Sequence, residues 1–313
     1  MRRLGNSGLT VSPIALGGNV FGWTADEPTS FKILDSFVSS GFNFIDTADM
    51  YSTWAPRNKG GESETIIGRW LKQSGKRDQV VIATKVGKPM GPDRRGLSRA
   101  YIHGAVQASL QRLQTDYIDL YQSHEDDLKT PLEETLEAYE ELIEQGRVRA
   151  IGASNYTADR LSKALQVSKE QSLPRYESLQ PLYNLYERSE FEGPLEQLCV
   201  KEGLGVIGYY SLANGFLTGK YRTEKDLSQS PRGSHVKEYM NPRGFRILEA
   251  LDRVAERYGS TPTRIALAWL MARASITAPI ASATNLNQLK DVLESTRVTL
   301  DQASVEELNQ ASA

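Results

Sequence analysis

Short β-rich apolar runs alternate eight times with longer stretches of helical period, and no other feature of the sequence restricts its architecture as strongly. The runs are PIALGG from Pro13, FNFIDTA from Phe42, VVIATKVG from Val80, YIDLYQSH from Tyr117, VRAIGAS from Val148, ESLQPLY from Glu177, LGVIGYYSL from Leu204 and SITAPIAS from Ser275. The segments between them predict helices that include Thr29–Ser40, Ser63–Gln73, Arg99–Gln114, Leu132–Gln145, Ala158–Val167, Glu190–Glu202 and Pro262–Ala272. In the clearest case Thr130 is placed to cap, Pro131 suits a first helical position, Leu132, Leu136, Tyr139 and Ile143 form an apolar stripe, and Gly146 marks the stop. Strands that alternate with helices imply parallel crossovers. Eight such units without a break in composition predict an α/β fold, a closed (β/α)8 TIM barrel, with residues 1–313 forming one domain.

An open dinucleotide-binding sheet would carry a glycine-rich turn after its first strand, and Gly17, Gly18 and Asn19 do not match GxGxxG. The regular spacing is interrupted once, between Ala213 and Pro242. This long loop after the seventh strand is expected to be either a covering loop or a disordered insertion.

Composition closes several functional classes. One cysteine, Cys199, cannot form an intrachain disulfide, which points to a reducing, cytoplasmic setting. The three histidines, His103, His124 and His235, are scattered without metal-ligand spacing, so no metal site is expected. Lys plus Arg is 37 against 39 Asp plus Glu, and the N-terminal MRRLGNSGLTVSPIALGG lacks a signal-peptide core. Neither a nucleic-acid nor a membrane partner is therefore expected.

In a barrel of this kind the chemistry lies where strands end at their carboxyl side, so ionisable residues at those positions are the candidates. The second strand ends in Asp46 with Tyr51 shortly after it, the third in Lys85, and the fourth leads to His124. An ammonium and a carboxylate on neighbouring strand ends offset each other's desolvation. A tyrosine hydroxyl beside the ammonium is expected to gain acidity and to serve as a proton donor, while a histidine orients a carbonyl oxygen. Such a set suits carbonyl reduction.

DTADMY, the lysine of ATKVG and the histidine of YQSH together resemble the catalytic tetrad of the aldo-keto reductases. ASNY, QPLYNLYER and GVIGYYSLANGFLTGKY are similar to that family's later motifs and follow in the same order along nearly the whole chain. The resemblance also extends to potassium-channel β-subunit-like reductases. It implies an NAD(P)H-dependent enzyme that reduces an aldehyde or ketone to an alcohol, with Tyr51 as general acid, Lys85 and Asp46 tuning it, and His124 orienting a small-molecule carbonyl substrate. The resemblance also implies that Ser154, Asn155 and Gln180 hold the nicotinamide carboxamide and that Tyr209 stacks on the ring. Tyr210, Ser211, Leu212, Lys220 and Arg222 would follow the pyrophosphate. Gly17, Gly18, Ser282, Thr284 and Gln288 complete the expected cofactor contacts. After the eighth strand PIASATNLNQLKDV carries no cation where the family places one for the 2′-phosphate. NADPH is expected, with Lys220, Arg222 or Lys290 supplying that charge, and NADH stays open. Trp23 and Trp54, in the loops after the first two strands, are expected to line the substrate pocket, with Tyr183 a further candidate.

Two other readings use the same residues. One is a nicotinamide-binding regulatory or channel-associated subunit with slow turnover. The other is a barrel hydrolase with a divalent metal among Asp46, Asp49, His124 and Glu125. The substrate's identity, the direction of the reaction and the oligomeric state are not encoded legibly.

Overall fold

The structure, a computed structural model, describes residues 1–313. A short antiparallel hairpin, β1 (Arg2–Arg3) with β2 (Thr10–Val11), precedes eight parallel strands. These are β3 (Ala15–Gly17), β4 (Phe44–Asp46), β5 (Val81–Val86), β6 (Ile118–Ser123), β7 (Val148–Ser154), β8 (Tyr176–Gln180), β9 (Gly205–Val206) and β10 (Ile280–Ala281). Each falls in one of the eight expected runs, although β8 begins one residue before its run. They pair in the order β10-β3-β4-β5-β6-β7-β8-β9. The ring closes through backbone bonds from Thr277 to the Val206 carbonyl (2.9 Å) and from Ile280 to the Gly208 carbonyl (2.8 Å). The fold is a (β/α)8 barrel.

Side chains alternate between lumen and outer face along each strand. Phe44, Val81, Ala83, Leu120, Ala150, Ile207, Ala278 and Ile280 fill the lower lumen, where Leu4, Leu9 and Val11 of the hairpin join them as a plug. The hairpin was not expected from sequence. Its turn needs Gly5, which adopts φ 54°; a Cβ there would meet the Glu177 carbonyl oxygen at 2.2 Å. A larger apolar layer packs the outer strand faces against the helices, including Ile82, Val86, Tyr121, Ile151 and Leu179.

The observed helices are Glu27–Ser39, Glu62–Ser74, Arg99–Leu113, Leu132–Glu144, Ala158–Gln171, Pro194–Glu202 and Pro262–Ala272, matching the seven expected ones to within a few residues. Three more occur at Pro242–Arg257, Leu286–Glu294 and Gln302–Ala311, capped by Asn241, Asn285 and Asp301. At the fourth helix, Pro131 rather than Thr130 occupies the cap position, and the Thr130 hydroxyl donates to Asp127 at 2.8 Å. No helix is long and apolar enough to cross a membrane.

The segment after β9 is built rather than disordered. Tyr210, Ala213 and Asn214 take left-handed φ of 53°, 46° and 56°, coiling the chain as it leaves the strand. Short helical turns follow, anchored by the buried side chains of Phe216, Leu217, Tyr221, Val236 and Tyr239.

Candidate functional site

The upper lumen is polar because the period-two pattern that puts Phe44 and Ala83 in the lower core also puts Asp46 and Lys85 one step higher. Both are buried. Lys85 Nζ donates to Asp46 Oδ2 (2.7 Å), to the Thr47 carbonyl (2.7 Å) and to Tyr51 Oη (3.2 Å), so all three ammonium donors are committed. Because Tyr51 Oη accepts from Lys85, its own hydrogen is available to a group outside. Asp46 Oδ1 accepts from Gln180 Nε2 at 2.8 Å and from Gln122 Nε2 at 3.4 Å.

His124 follows β6, its amide bonded to the Val86 carbonyl at 2.8 Å, and its ring lies 5.9 Å from that of Tyr51. Its buried Nδ1 has no protein partner. Burial first, then Lys85 and Lys88, push the imidazole well below its ordinary pKa, which keeps it neutral. Trp54 packs edge-on to Tyr51 at 5.4 Å and to Trp23 at 5.9 Å, so both tryptophans come to the mouth beside the tyrosine. Tyr183 does not. It is fully buried, packs on Phe191 and Trp269, and donates to Glu192.

One expectation is reversed. The Tyr51 hydroxyl lies well above the ordinary tyrosine pKa, chiefly through burial and then through the Asp46 carboxylate, instead of below it. The Lys85 charge is taken up by Asp46 at contact distance, so the phenol sees a neutralised pair rather than a free cation. In this state Tyr51 holds its proton.

The expected carboxamide-binding residues meet at the ends of β7 and β8. Asn155, at φ 57°, donates through Nδ2 to the His124 carbonyl (2.8 Å) and accepts from Tyr209 Oη (2.8 Å). Ser154 Oγ donates to the Gln180 carbonyl at 2.8 Å. With Gln180 Nε2 turned to Asp46, its Oε1 is the acceptor left over. Tyr209 and the exposed Tyr210 follow β9, and Asn184 Nδ2 holds the Tyr210 carbonyl at 3.0 Å.

On the opposite rim β3 meets β10. A Cβ on Gly17 would lie 2.5 Å from Ser282 Oγ, so Gly17 permits close approach of the two edges, and one on Gly18 would lie 2.8 Å from Ser63 Oγ on the helix Glu62–Ser74. Ser211 Oγ bonds the Gly208 carbonyl, Ser282 bonds Asn19, and Thr284 bonds Gln288. Leu212 begins the turn that buries Phe216 and Leu217. Lys220 is exposed with Nζ 5.0 Å from the Tyr221 ring. Arg222 is clamped through both terminal nitrogens to Asp252 at 2.8 Å and is therefore occupied within the protein.

Several polar groups around the site were not singled out from sequence. Gln122 shares Asp46, and its place two residues after lumen-facing Leu120 was a usable signal. On the outer face of β5, Thr84 donates to buried Glu64 at 2.6 Å, and Arg112 Nε meets the same carboxylate at 2.7 Å. Asp49, which the sequence offers only as a metal ligand in the hydrolase reading, is buried nearby with neither carboxylate oxygen partnered, and burial followed by Glu64 pushes it up to about 8. Arg232, from the segment after β9, lays its guanidinium 5.3 Å from the Trp23 ring within the field of Tyr210 and Tyr51 and has no carboxylate contact. No three His, Cys, Asp or Glu side chains converge as metal ligands, so the acids of the hydrolase reading are not gathered.

Residues 13–313 match the model of the Aldo/keto reductase family. The chain is 36% identical to the uncharacterized oxidoreductase YrpG of Bacillus subtilis, covering 98% of this chain and 94% of that one. It is 35% identical to the aldo-keto reductase YhdN of the same organism, with coverages of 94% and 86%. A probable voltage-gated potassium channel subunit beta of Arabidopsis thaliana is 31% identical, with coverages of 95% and 91%.

Proposed function

The chain belongs to the aldo/keto reductase family, nicotinamide-dependent oxidoreductases that act on carbonyl groups, and on that premise we propose that it reduces an aldehyde or ketone with NADPH, Tyr51 delivering the proton. The observation that carries this reading is the Lys85 ammonium, which bridges Asp46 and Tyr51 beside a neutral His124.

A bound reduced nicotinamide supplies hydride to the carbonyl carbon. The protein's own residues do the rest. The neutral imidazole of His124 and the outward hydrogen of Tyr51 converge on the carbonyl oxygen and fix its direction. As negative charge grows on that oxygen, the Tyr51 proton moves to it. The phenolate left behind stands 3.2 Å from Lys85 Nζ, whose hydrogen bond strengthens as the charge arrives. The high resting pKa of Tyr51 thus keeps the acid loaded, and the ammonium acts on the product of proton transfer. Gln180 Oε1 offers an acceptor to the carboxamide, and Asn155, fixed by the His124 carbonyl, Ser154 and Tyr209, would shape that edge of the site, with Tyr209 beside them as a stacking face.

For the phosphates, Arg232 is the guanidinium left free, since Arg222 is held by Asp252. Lys290, on the helix Leu286–Glu294, and Lys220 are exposed and would supply the charge for a 2′-phosphate. The test is a panel of aldehydes and ketones with NADPH and NADH, followed by loss of reduced-cofactor absorbance. Turnover with tighter NADPH than NADH supports the reading. Tight cofactor binding without turnover favours the nicotinamide-binding subunit instead.

A further inference from the structure

The backbone of Tyr51 rests on the first turn of the helix Glu62–Ser74. Its carbonyl accepts from the Gly61 amide at 3.0 Å and from the Ser63 amide at 3.2 Å, the second of which the helix start leaves without an intrahelical partner. Gly61 stands at the cap of that helix with φ 89° and has no side chain to fix the turn. Where Gly61 sits therefore decides where the phenol stands relative to Lys85 Nζ.

Arg112, near the end of the helix Arg99–Leu113, fills the space that a Gly61 side chain would take. A Cβ on Gly61 would lie 2.6 Å from Arg112 Nε and closer still to Cδ. Arg112 Nε donates to the buried Glu64 carboxylate at 2.7 Å, and its Nη2 donates to Ser109 Oγ at 3.2 Å. The other Glu64 oxygen accepts from Thr84 Oγ1 at 2.6 Å, and Thr84 adjoins Lys85 on β5. A closed circuit results, running from Lys85 through Thr84, Glu64, Arg112 and Gly61 to the Tyr51 carbonyl, while the Tyr51 hydroxyl returns to Lys85 at 3.2 Å. Asp49 shares this pocket, but its carboxyl, pushed up to about 8, stays mostly protonated at neutral pH and leaves Glu64 as the charged acid that holds Arg112.

The two helices stay packed without the Arg112 side chain. A Cβ on Gly68 would run into the Arg112 carbonyl oxygen, so their backbones approach closely there, and Ile66, Ile67, Trp70 and Leu71 anchor the helix Glu62–Ser74 in the core. What the guanidinium adds is local, at the glycine turn that grips Tyr51.

Resting on the reading of Tyr51 as the proton donor, we propose that Arg112 is a positioning residue for the reduction. Seated on Glu64 and against Gly61, it steadies the turn that carries Tyr51 and keeps the phenol hydroxyl in reach of both Lys85 and the substrate oxygen. Arg112 stands behind the barrel wall with Thr84 and Glu64, so its effect passes through Tyr51.

The experiment measures kcat and KM for the best aldehyde of the panel, NADPH affinity by fluorescence titration, and the urea midpoint. The variants are Arg112→Met, Arg112→Met with Glu64→Gln, and Arg112→Met in the Tyr51→Phe background. Arg112→Met is expected to lower kcat by about ten- to a hundredfold, the cost of a misplacement on the order of an ångström, with KM and NADPH affinity nearly unchanged. Glu64→Gln removes the charge that Arg112→Met strands in the wall, so the double variant should regain stability while kcat stays low. In the Tyr51→Phe background there is no hydroxyl to place, and Arg112→Met should lower the residual single-turnover rate by less than about twofold. If Arg112→Met leaves kcat intact, if kcat recovers along with stability in the double variant, or if the Tyr51→Phe protein is slowed by the same factor as the unaltered one, the role of Arg112 fails while the reductase reading stands. If the unaltered protein reduces none of the panel with either nicotinamide, both fall.

Discussion

The amide of Asp49 donates to the carbonyl of Lys85 at 3.1 Å, tying the loop that carries Tyr51 to the strand that carries the ammonium. The Asp49 side chain turns into the protein instead, toward Glu64 and Arg112, where it finds no hydrogen-bond partner.

That buried carboxyl sets a stability dependence on pH. Its folded pKa of about 8 exceeds the ordinary 3.8, so between those values the folded state keeps a proton that the unfolded chain releases. Stability from this group therefore falls as pH rises from about 4 to about 8 and levels off above. Asp49→Asn should abolish this slope. Urea midpoints at pH 5, 7 and 9 should show the variant gaining on the parent as pH rises; a constant difference between the two would show that Asp49 titrates normally.

Replacing Tyr51 with Phe removes the acid and leaves the ring that packs on Trp54. The rate of aldehyde reduction should fall by about 10²- to 10⁴-fold. Cofactor affinity, read by fluorescence titration, should change little, and normal reduction by the variant would move the acid's role to another group.

The buried pair offers a separation of stability from chemistry. Lys85→Met leaves Asp46 charged and uncompensated in the lumen and should cost about 3–5 kcal/mol in unfolding free energy. Adding Asp46→Asn removes the charge while keeping an acceptor for Gln180 Nε2, so the double variant should recover much of that loss and remain inactive. Denaturant titrations of the two variants beside the same aldehyde assay would check it. Recovery of activity along with stability would place the role of Lys85 in the fold alone.

Arg222 and Arg232 should diverge. Arg232→Ala should weaken NADPH binding by about ten- to a hundredfold, since a free guanidinium on a phosphate is a charge-assisted contact. Arg222→Ala removes an exposed pair with Asp252 and should cost only about 0–1 kcal/mol of stability with cofactor affinity intact. Isothermal titration of both variants decides, and equal losses would show that the Asp252 clamp opens on binding.

Period and order made much of this molecule legible. Each of the eight parallel strands lies within an apolar run or overlaps one, and Asp46, Lys85 and His124 lie where the sequence puts them, at the carboxyl ends of neighbouring strands. Sequence could not show where each charge would be spent. Arg222 and Arg232 look alike along the chain, and only folding reveals that Asp252, thirty residues away, takes one of them. The same holds for Tyr51, whose pKa depends on Asp46 meeting Lys85 first. The hairpin escaped because its strands are two residues each, shorter than any periodicity can register.

Ring closure has a kinetic consequence. Ala15 pairs with Ile280, so the first and last strands of the barrel meet only after almost the entire chain has been made. Neighbouring strands β5, β6 and β7 can pair early through local crossovers, whereas the seam closes against a large loop entropy. Until β10 arrives, β3 and β9 each present an open edge to other chains. A nascent chain stalled before residue 275 should therefore be the aggregation-prone form of this protein, and the residues from 275 onward serve as the clasp that closes both open edges.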